Sequence, residues 1–128
     1  MFQGLRTIIY PAPDLAASKA WFTELLGKPP YFDEPFYVGF EVAGYELALD
    51  PGGDPVTGPV TYWGVADVDT ALARLLEAGA TAREAVRAVG GGIRVATVVE
   101  PGGAVLGVIE NPHFRLPETT TPPAGPGR

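Results

Sequence analysis

The chain repeats one pattern twice: a β-branched apolar run, an Asp-capped helix ended by glycine, and two further strand-like runs. In the first copy Leu5 to Tyr10 is the strand and Pro11-Ala12-Pro13 breaks it. Asp14 then stands where a side-chain oxygen can accept from the orphan N–H groups of a helix start. Ser18, Phe22, Leu25 and Leu26 recur at helical spacing, and Gly27 followed by Pro29-Pro30 ends the helix. The runs Phe36 to Val42 and Tyr45 to Leu49 read as a hairpin around Ala43-Gly44. The second copy has a strand at Val60 to Val65 and a helix capped by Asp67 or Asp69, with Val68, Leu72, Leu75 and Leu76 on one face and Gly79 closing it. Strands at Ile93 to Val99 and Ala104 to Ile109 flank the turn Glu100-Pro101-Gly102-Gly103. Few residues are identical between the copies, so the repeat lies in the architecture. Two units make a duplicated module rather than a solenoid, which needs three or more.

Each copy has room for one more short strand, near Tyr31-Phe32 and near Arg83 to Val86. The predicted fold is therefore α+β, two βαβββ modules at about 4–52 and 58–112, pairing into a curved mixed sheet around a central cavity. Such a concavity suits a small ligand. Residues 1–114 form the expected domain, and 115–128, rich in Pro, Thr and Gly, the expected disordered tail.

The 128 residues contain no cysteine, which excludes disulfides, thiolate metal sites and a cysteine nucleophile. A net charge of −6 argues against a nucleic-acid partner, which calls for basic patches; it suits a cationic ligand or simply solubility. No apolar run is long enough for a membrane span. Met1 to Arg6 has no apolar leader core, so a cytoplasmic location is expected.

The segment Pro13-Asp14-Leu15 through Trp21-Phe22-Thr23-Glu24-Leu25-Leu26-Gly27 resembles the first-helix signature of the vicinal oxygen chelate superfamily, the glyoxalase/bleomycin-resistance/dioxygenase class. Val65-Ala66-Asp67-Val68-Asp69 through Gly79-Ala80 is similar to its second-helix signature, and Glu100-Pro101-Gly102-Gly103 to its closing turn, with Glu for Asp. The resemblance covers residues 5–112. It is specific for fold and weak for function, because the class spans lyases, isomerases, dioxygenases, thiol transferases and drug-binding proteins.

In metal-dependent members, the resemblance implies, four His or Glu side chains on four strands hold a metal acting as a Lewis acid. Alignment puts these positions at Thr7, Glu46, Val60 and Gly107. Valine and glycine side chains have no ligand atom, and a neutral threonine hydroxyl is a poor ligand. The chain has one histidine, His113, so two imidazole ligands cannot come from one chain. No metal and no cofactor are expected.

The expected function is metal-independent binding of a small organic molecule, including drug sequestration of the bleomycin-resistance kind. The cavity residues named for it are Thr7, Ile9, Phe40, Glu46, Tyr62 and Arg94. Glu46 is the candidate catalytic group in the rival reading, a metal-free isomerase, cyclase or hydrolase; a metal-dependent lyase or dioxygenase is the lesser rival. Its alternative is a solvent-facing strand residue. His113 is either a cavity rim or a surface residue. Trp21, Phe22 and Trp63 are expected in the core. The aromatic cluster Tyr31, Phe32, Phe36, Tyr37 and Phe40 lines a pocket, forms a subunit contact in a homodimer, or is ordinary core. Gly90-Gly91-Gly92 lacks the Lys-Ser/Thr of a phosphate loop and reads as a flexible approach to a strand.

Overall fold

A computed structural model describes residues 1–114; the expected tail at 115–128 lies outside the described residues. The elements follow the order of the repeat: β1 (Leu5–Pro11), α1 (Leu15–Leu26), β2 (Phe32–Glu34), β3 (Tyr37–Val42), β4 (Tyr45–Asp50), β5 (Val60–Gly64), α2 (Val68–Glu77), β6 (Thr81–Gly90), β7 (Ile93–Val99) and β8 (Val105–Glu110). The two strands for which the sequence leaves room are β2 and β6, and β6 is ten residues long.

The capping chemistry is as the sequence predicts. The Asp14 carboxylate accepts from the Ala17 N–H at 3.1 Å, and Gly27 closes α1 with φ 73°. Asp67, not Asp69, caps α2, accepting from the Asp69 N–H and, at 2.6 Å, from the Thr70 hydroxyl. Ala43 and Gly44 have φ 52° and 92°, the positive pair that a two-residue hairpin loop needs to match strand twist. That loop sets the register: Val42 faces Tyr45, Glu41 faces Glu46 and Phe40 faces Leu47.

The strands form one curved sheet that does not close, in the order β2-β3-β4-β1-β5-β8-β7-β6. In each module the first strand lies parallel to the last, β1 to β4 and β5 to β8. The modules join edge to edge through antiparallel pairing of β1 with β5. Both helices cover the same face. Leu15, Phe22 and Leu26 of α1 pack on Ala12, Val38, Phe40 and Leu49; Val68, Ala71, Leu72 and Leu75 of α2 pack on Val65, Ala96 and Val108. Fully burying a side chain such as Phe40 is worth about 1.5–3 kcal/mol.

Two residues expected inside are outside: Trp21 is 59% and Leu25 62% exposed. They sit four apart on the outward face of α1, whereas Leu15, Phe22 and Leu26 form the inward stripe. The helix has two apolar stripes, and periodicity alone does not say which one packs. Phe22 and Trp63 do lie on the helix-bearing side; Trp63 stacks on Phe2 at 5.4 Å between centroids and donates through Nε1 to the Thr61 hydroxyl at 3.1 Å. Among the described residues no helix is long and apolar enough to cross a membrane.

Candidate functional site

The face of the sheet without helices carries one row of residues drawn from six strands: Glu46 (β4), Thr7 (β1), Tyr62 (β5), Gly107 (β8), Thr97 (β7) and Glu84 (β6). Neighbours in a sheet row project to the same side. Three of the four positions expected from the resemblance, Thr7, Glu46 and Gly107, fall in this row. The β5 member is Tyr62 rather than Val60, which pairs with Ile9 farther along the strand. The alignment slips by two residues there, which preserves the face but not the row.

At one end of the row the Glu46 carboxylate collects three hydroxyls. Thr7 donates to Oε1 at 3.1 Å and Tyr37 to the same oxygen at 2.9 Å, while Tyr31 donates to Oε2. The donors come from β1, from β3 and from the loop before β2. Gly39 makes the cluster possible, because a Cβ there would sit 2.5 Å from Glu46 Oε2 and 3.2 Å from the Tyr31 ring. Loss of hydration, partial at Tyr31 and larger at Tyr37, raises the pKa of both tyrosines, and the hydrogen bond and charge of Glu46 add to it, so both stay protonated donors well beyond neutrality.

In the middle of the row Tyr62 is buried with its ring over Gly107. At the other end Thr97, also buried, donates to Glu84 at 3.1 Å and accepts from Arg83 at 3.4 Å. Arg87 faces Val95 from β6, on the same side as Thr97. Burial raises the Tyr62 pKa; Glu84 adds to that, while Arg87 and Arg83 oppose it. The Tyr62 hydroxyl is therefore within electrostatic reach of all three.

The residues of the row do not fit the metal that the resemblance implies. Thr7 is committed to Glu46, Tyr62 brings a phenol where a histidine would stand, and the place of a fourth ligand is filled by the Tyr62 ring. Among the described residues no three His, Cys, Asp or Glu side chains converge in a way that would hold an ion.

Two residues named for the cavity lie elsewhere. Phe40 is wholly buried beneath α1 with Phe22, because the Ala43-Gly44 hairpin sets it opposite Leu47, on the other side from Glu46. Arg94 is held at the start of α2 by Asp69 at 2.9 Å, Glu110 at 2.8 Å and Asp67 at 3.2 Å. The hydrogen bonds it donates to Asp69 and Glu110 raise its pKa. Ile9 shares the face of Thr7 and supplies an apolar flank between Ala48 and Val60. His113 is a surface residue with Nε2 2.7 Å from the Gly91 carbonyl, at the β6–β7 turn where Gly90, Gly91 and Gly92 all take positive φ. The sequence offers Tyr31 and Tyr37 only as members of an aromatic cluster with a pocket among its possible roles, and it does not single out Thr97, Arg83 or Arg87. For Tyr37 a signal existed, since it shares strand parity with Gly39 and Glu41, opposite Glu46.

A groove of about 730 Å³ runs along the outside of α1, lined by Leu15, Ala16, Lys19, Ala20, Thr23, Glu24 and Asp33. Among the described residues it has no convergent polar constellation beyond the Lys19–Asp33 ion pair, and it lies across the sheet from the Glu46 row.

Residues 4–108 match the family model described as Glyoxalase/Bleomycin resistance protein/Dioxygenase superfamily. No curated protein matches the sequence. Among solved structures, a superfamily member from Vibrio splendidus 12B01 superposes with a TM-score of 0.67 at 20% identity, covering 83% of this chain and 97% of that one. A Streptomyces coelicolor methylmalonyl-CoA epimerase in complex with 2-nitronate-propionyl-CoA gives 0.72 at 16% identity, covering 91% and 100%. The Mn(II)-bound glyoxalase from Novosphingobium aromaticivorans gives 0.66 at 20%, covering 86% of this chain and 39% of that one. At these identities the likeness is one of fold.

Proposed function

The chain belongs to the glyoxalase/bleomycin resistance protein/dioxygenase superfamily, and from that premise we propose that it binds a small organic molecule on the open face of its sheet without a metal, anchored by Glu46. The observation that carries this reading is the carboxylate with three hydroxyl donors. An ionised carboxylate offers about four acceptor positions. Thr7 and Tyr37 share Oε1 and Tyr31 takes Oε2, so one position is left for an incoming amine or hydroxyl. Three donors from three parts of the chain fix the group beforehand, which lowers the ordering cost of binding. Sequestration of the bleomycin-resistance kind needs nothing more, since a binder acts by mass action.

Acid–base catalysis by Glu46 is the second reading, favoured by the contact with the exposed Tyr31, through which a proton can pass to the carboxylate. A homodimer is part of the proposal: Trp21, Leu25, Phe32 and Phe36 are exposed on α1 and around β2, at the free edge of the sheet, and aromatic residues are enriched in such contacts.

Octylamine titrated by calorimetry into the protein and into Glu46→Gln tests the anchor. Loss of a charge-assisted hydrogen bond weakens binding by about 1.5–3 kcal/mol. Equal affinity of the two proteins, or no binding to either, overturns it. Elemental analysis after dialysis checks the second half of the proposal; one equivalent of bound Zn, Ni, Fe or Mn refutes it.

A further inference from the structure

We propose that the open face is a two-ended site for a dipolar molecule, taking a cationic or hydrogen-bond-donating group at Glu46 and an anionic group at Arg83 and Arg87, with Tyr62 between them in the row. The inference rests on the reading of Glu46 as an anchor and goes beyond it by naming a second subsite and the class of ligand that uses both.

The placement comes from strand register. Glu46, Thr7, Tyr62, Gly107, Thr97 and Glu84 are consecutive members of one row, so the two charged ends face each other along a single track across the sheet. The first module supplies the acidic end and the second the basic end. Arg83 is oriented by Thr97, itself almost fully buried, and lies 3.5 Å from Glu84. Arg87 shares that face and, among the described residues, forms no ion pair with any acid. Two guanidinium groups against one carboxylate leave that end with a net positive charge. Arginine forks match carboxylate and phosphate oxygens in pairs, so an oxyanion is the natural complement.

Between the two ends Gly107 has no side chain and the Tyr62 ring packs against it, with Ile9 and Val60 beside it on the same face, so the middle of the row is apolar apart from the Tyr62 hydroxyl. Among the other acids on this side, Asp50 accepts from the Gly52 N–H at 2.8 Å, and Glu41, opposite Glu46, is paired with Lys28 at 2.8 Å and accepts from the Gly44 N–H at 2.6 Å. Neighbouring strands are about 4.8 Å apart, so from β4 to β6 the track crosses five such spacings, shortened by sheet curvature and by the reach of both sets of side chains. A chain of several carbons between the two charges fits that geometry better than an α-amino acid.

Three matched probes test this: 8-aminooctanoate, octylamine and octanoate, titrated by calorimetry into the full-length protein and into Glu46→Gln and Arg87→Gln. Arg87 is exposed, so Arg87→Gln should fold, and circular dichroism checks it. The expected result is that 8-aminooctanoate binds at least tenfold more tightly than either single-ended probe. Arg87→Gln should remove that advantage and leave octylamine affinity unchanged. If octylamine binds and responds to Glu46→Gln, but 8-aminooctanoate binds no better, the second subsite is refuted while the anchor stands. If neither amine probe responds to Glu46→Gln, the anchor and the two-ended site both fall. Equal binding of 8-aminooctanoate to the protein and to Arg87→Gln also overturns the assignment of the anionic end.

Discussion

The ring of Tyr62 lies against Gly107: a Cβ built on that glycine would sit 2.5 Å from Cδ2 of the ring and 2.6 Å from Cε2. The two residues face each other across parallel strands β5 and β8. This pair occupies the half of the row where the resemblance places two metal ligands. The same contact therefore removes the room a coordinating side chain would need.

Gly107→Ala should destabilise the protein by about 1–3 kcal/mol through overpacking. Tyr62→Ala combined with it should cost less than the sum of the two single changes, because the clash disappears with the ring. Urea unfolding of the double-mutant cycle measures this; strict additivity would mean the contact does not govern the site.

Thr7→Val keeps the shape of a buried side chain and deletes one donor to Glu46. The expected loss is about 1 kcal/mol of stability, since Tyr37 still holds Oε1. In a Glu46→Gln background the same change should cost less. Thermal melts of the four proteins check this coupling.

Alkaline pH should loosen the site. Tyr31, Tyr37 and Tyr62 all have pKa values raised by burial, and for Tyr31 and Tyr37 the charge of Glu46 adds to the shift. A group that holds its proton more tightly when folded contributes stability that is fully present below its unfolded pKa, about 10 for tyrosine. That contribution is lost as pH rises beyond this value toward the folded pKa. Phenolate absorbance should show these tyrosines ionising later in the native protein than in urea, and Tyr37→Phe should remove one late-titrating group. Coincident native and unfolded titrations would contradict the hydrogen-bonded cluster.

Trp21→Glu should produce a monomer without loss of fold. Trp21 is exposed on α1 and packs on Phe22 only edge to face, at 4.9 Å, so the charge is tolerated in water but not inside an apolar contact. Light scattering at micromolar concentration distinguishes the outcomes. A parent protein already monomeric, or a variant still dimeric, places the subunit contact elsewhere or removes it.

Much of the fold was legible because its causes are local. Asp14, Gly27, Asp67 and the Ala43-Gly44 loop act within a few residues of themselves, and the duplicated order of elements follows from them. The hairpin even contained the answer for Phe40: a two-residue loop at 43–44 puts Glu41 opposite Glu46 and turns Phe40 to the helix side. The third expected ligand position went astray for a different reason. Arg6 is the extra residue where the register shifts between Leu5 and Thr7, and an alignment on sequence landmarks does not show which residue of β5 then stands opposite Thr7.

By itself, then, the sequence determined a duplicated βαβββ domain, the cap of the first helix and the prominence of Glu46 as an acid on a strand. Only the tertiary structure decided what surrounds that acid. Thr7, Tyr31 and Tyr37 reach it from separate strands and loops, and Arg83 and Arg87 join the same face from the far edge of the sheet. A strand's alternation gives each side chain one of two sides, but the neighbour it meets there depends on strand order and register, which pairings distant in the chain fix together.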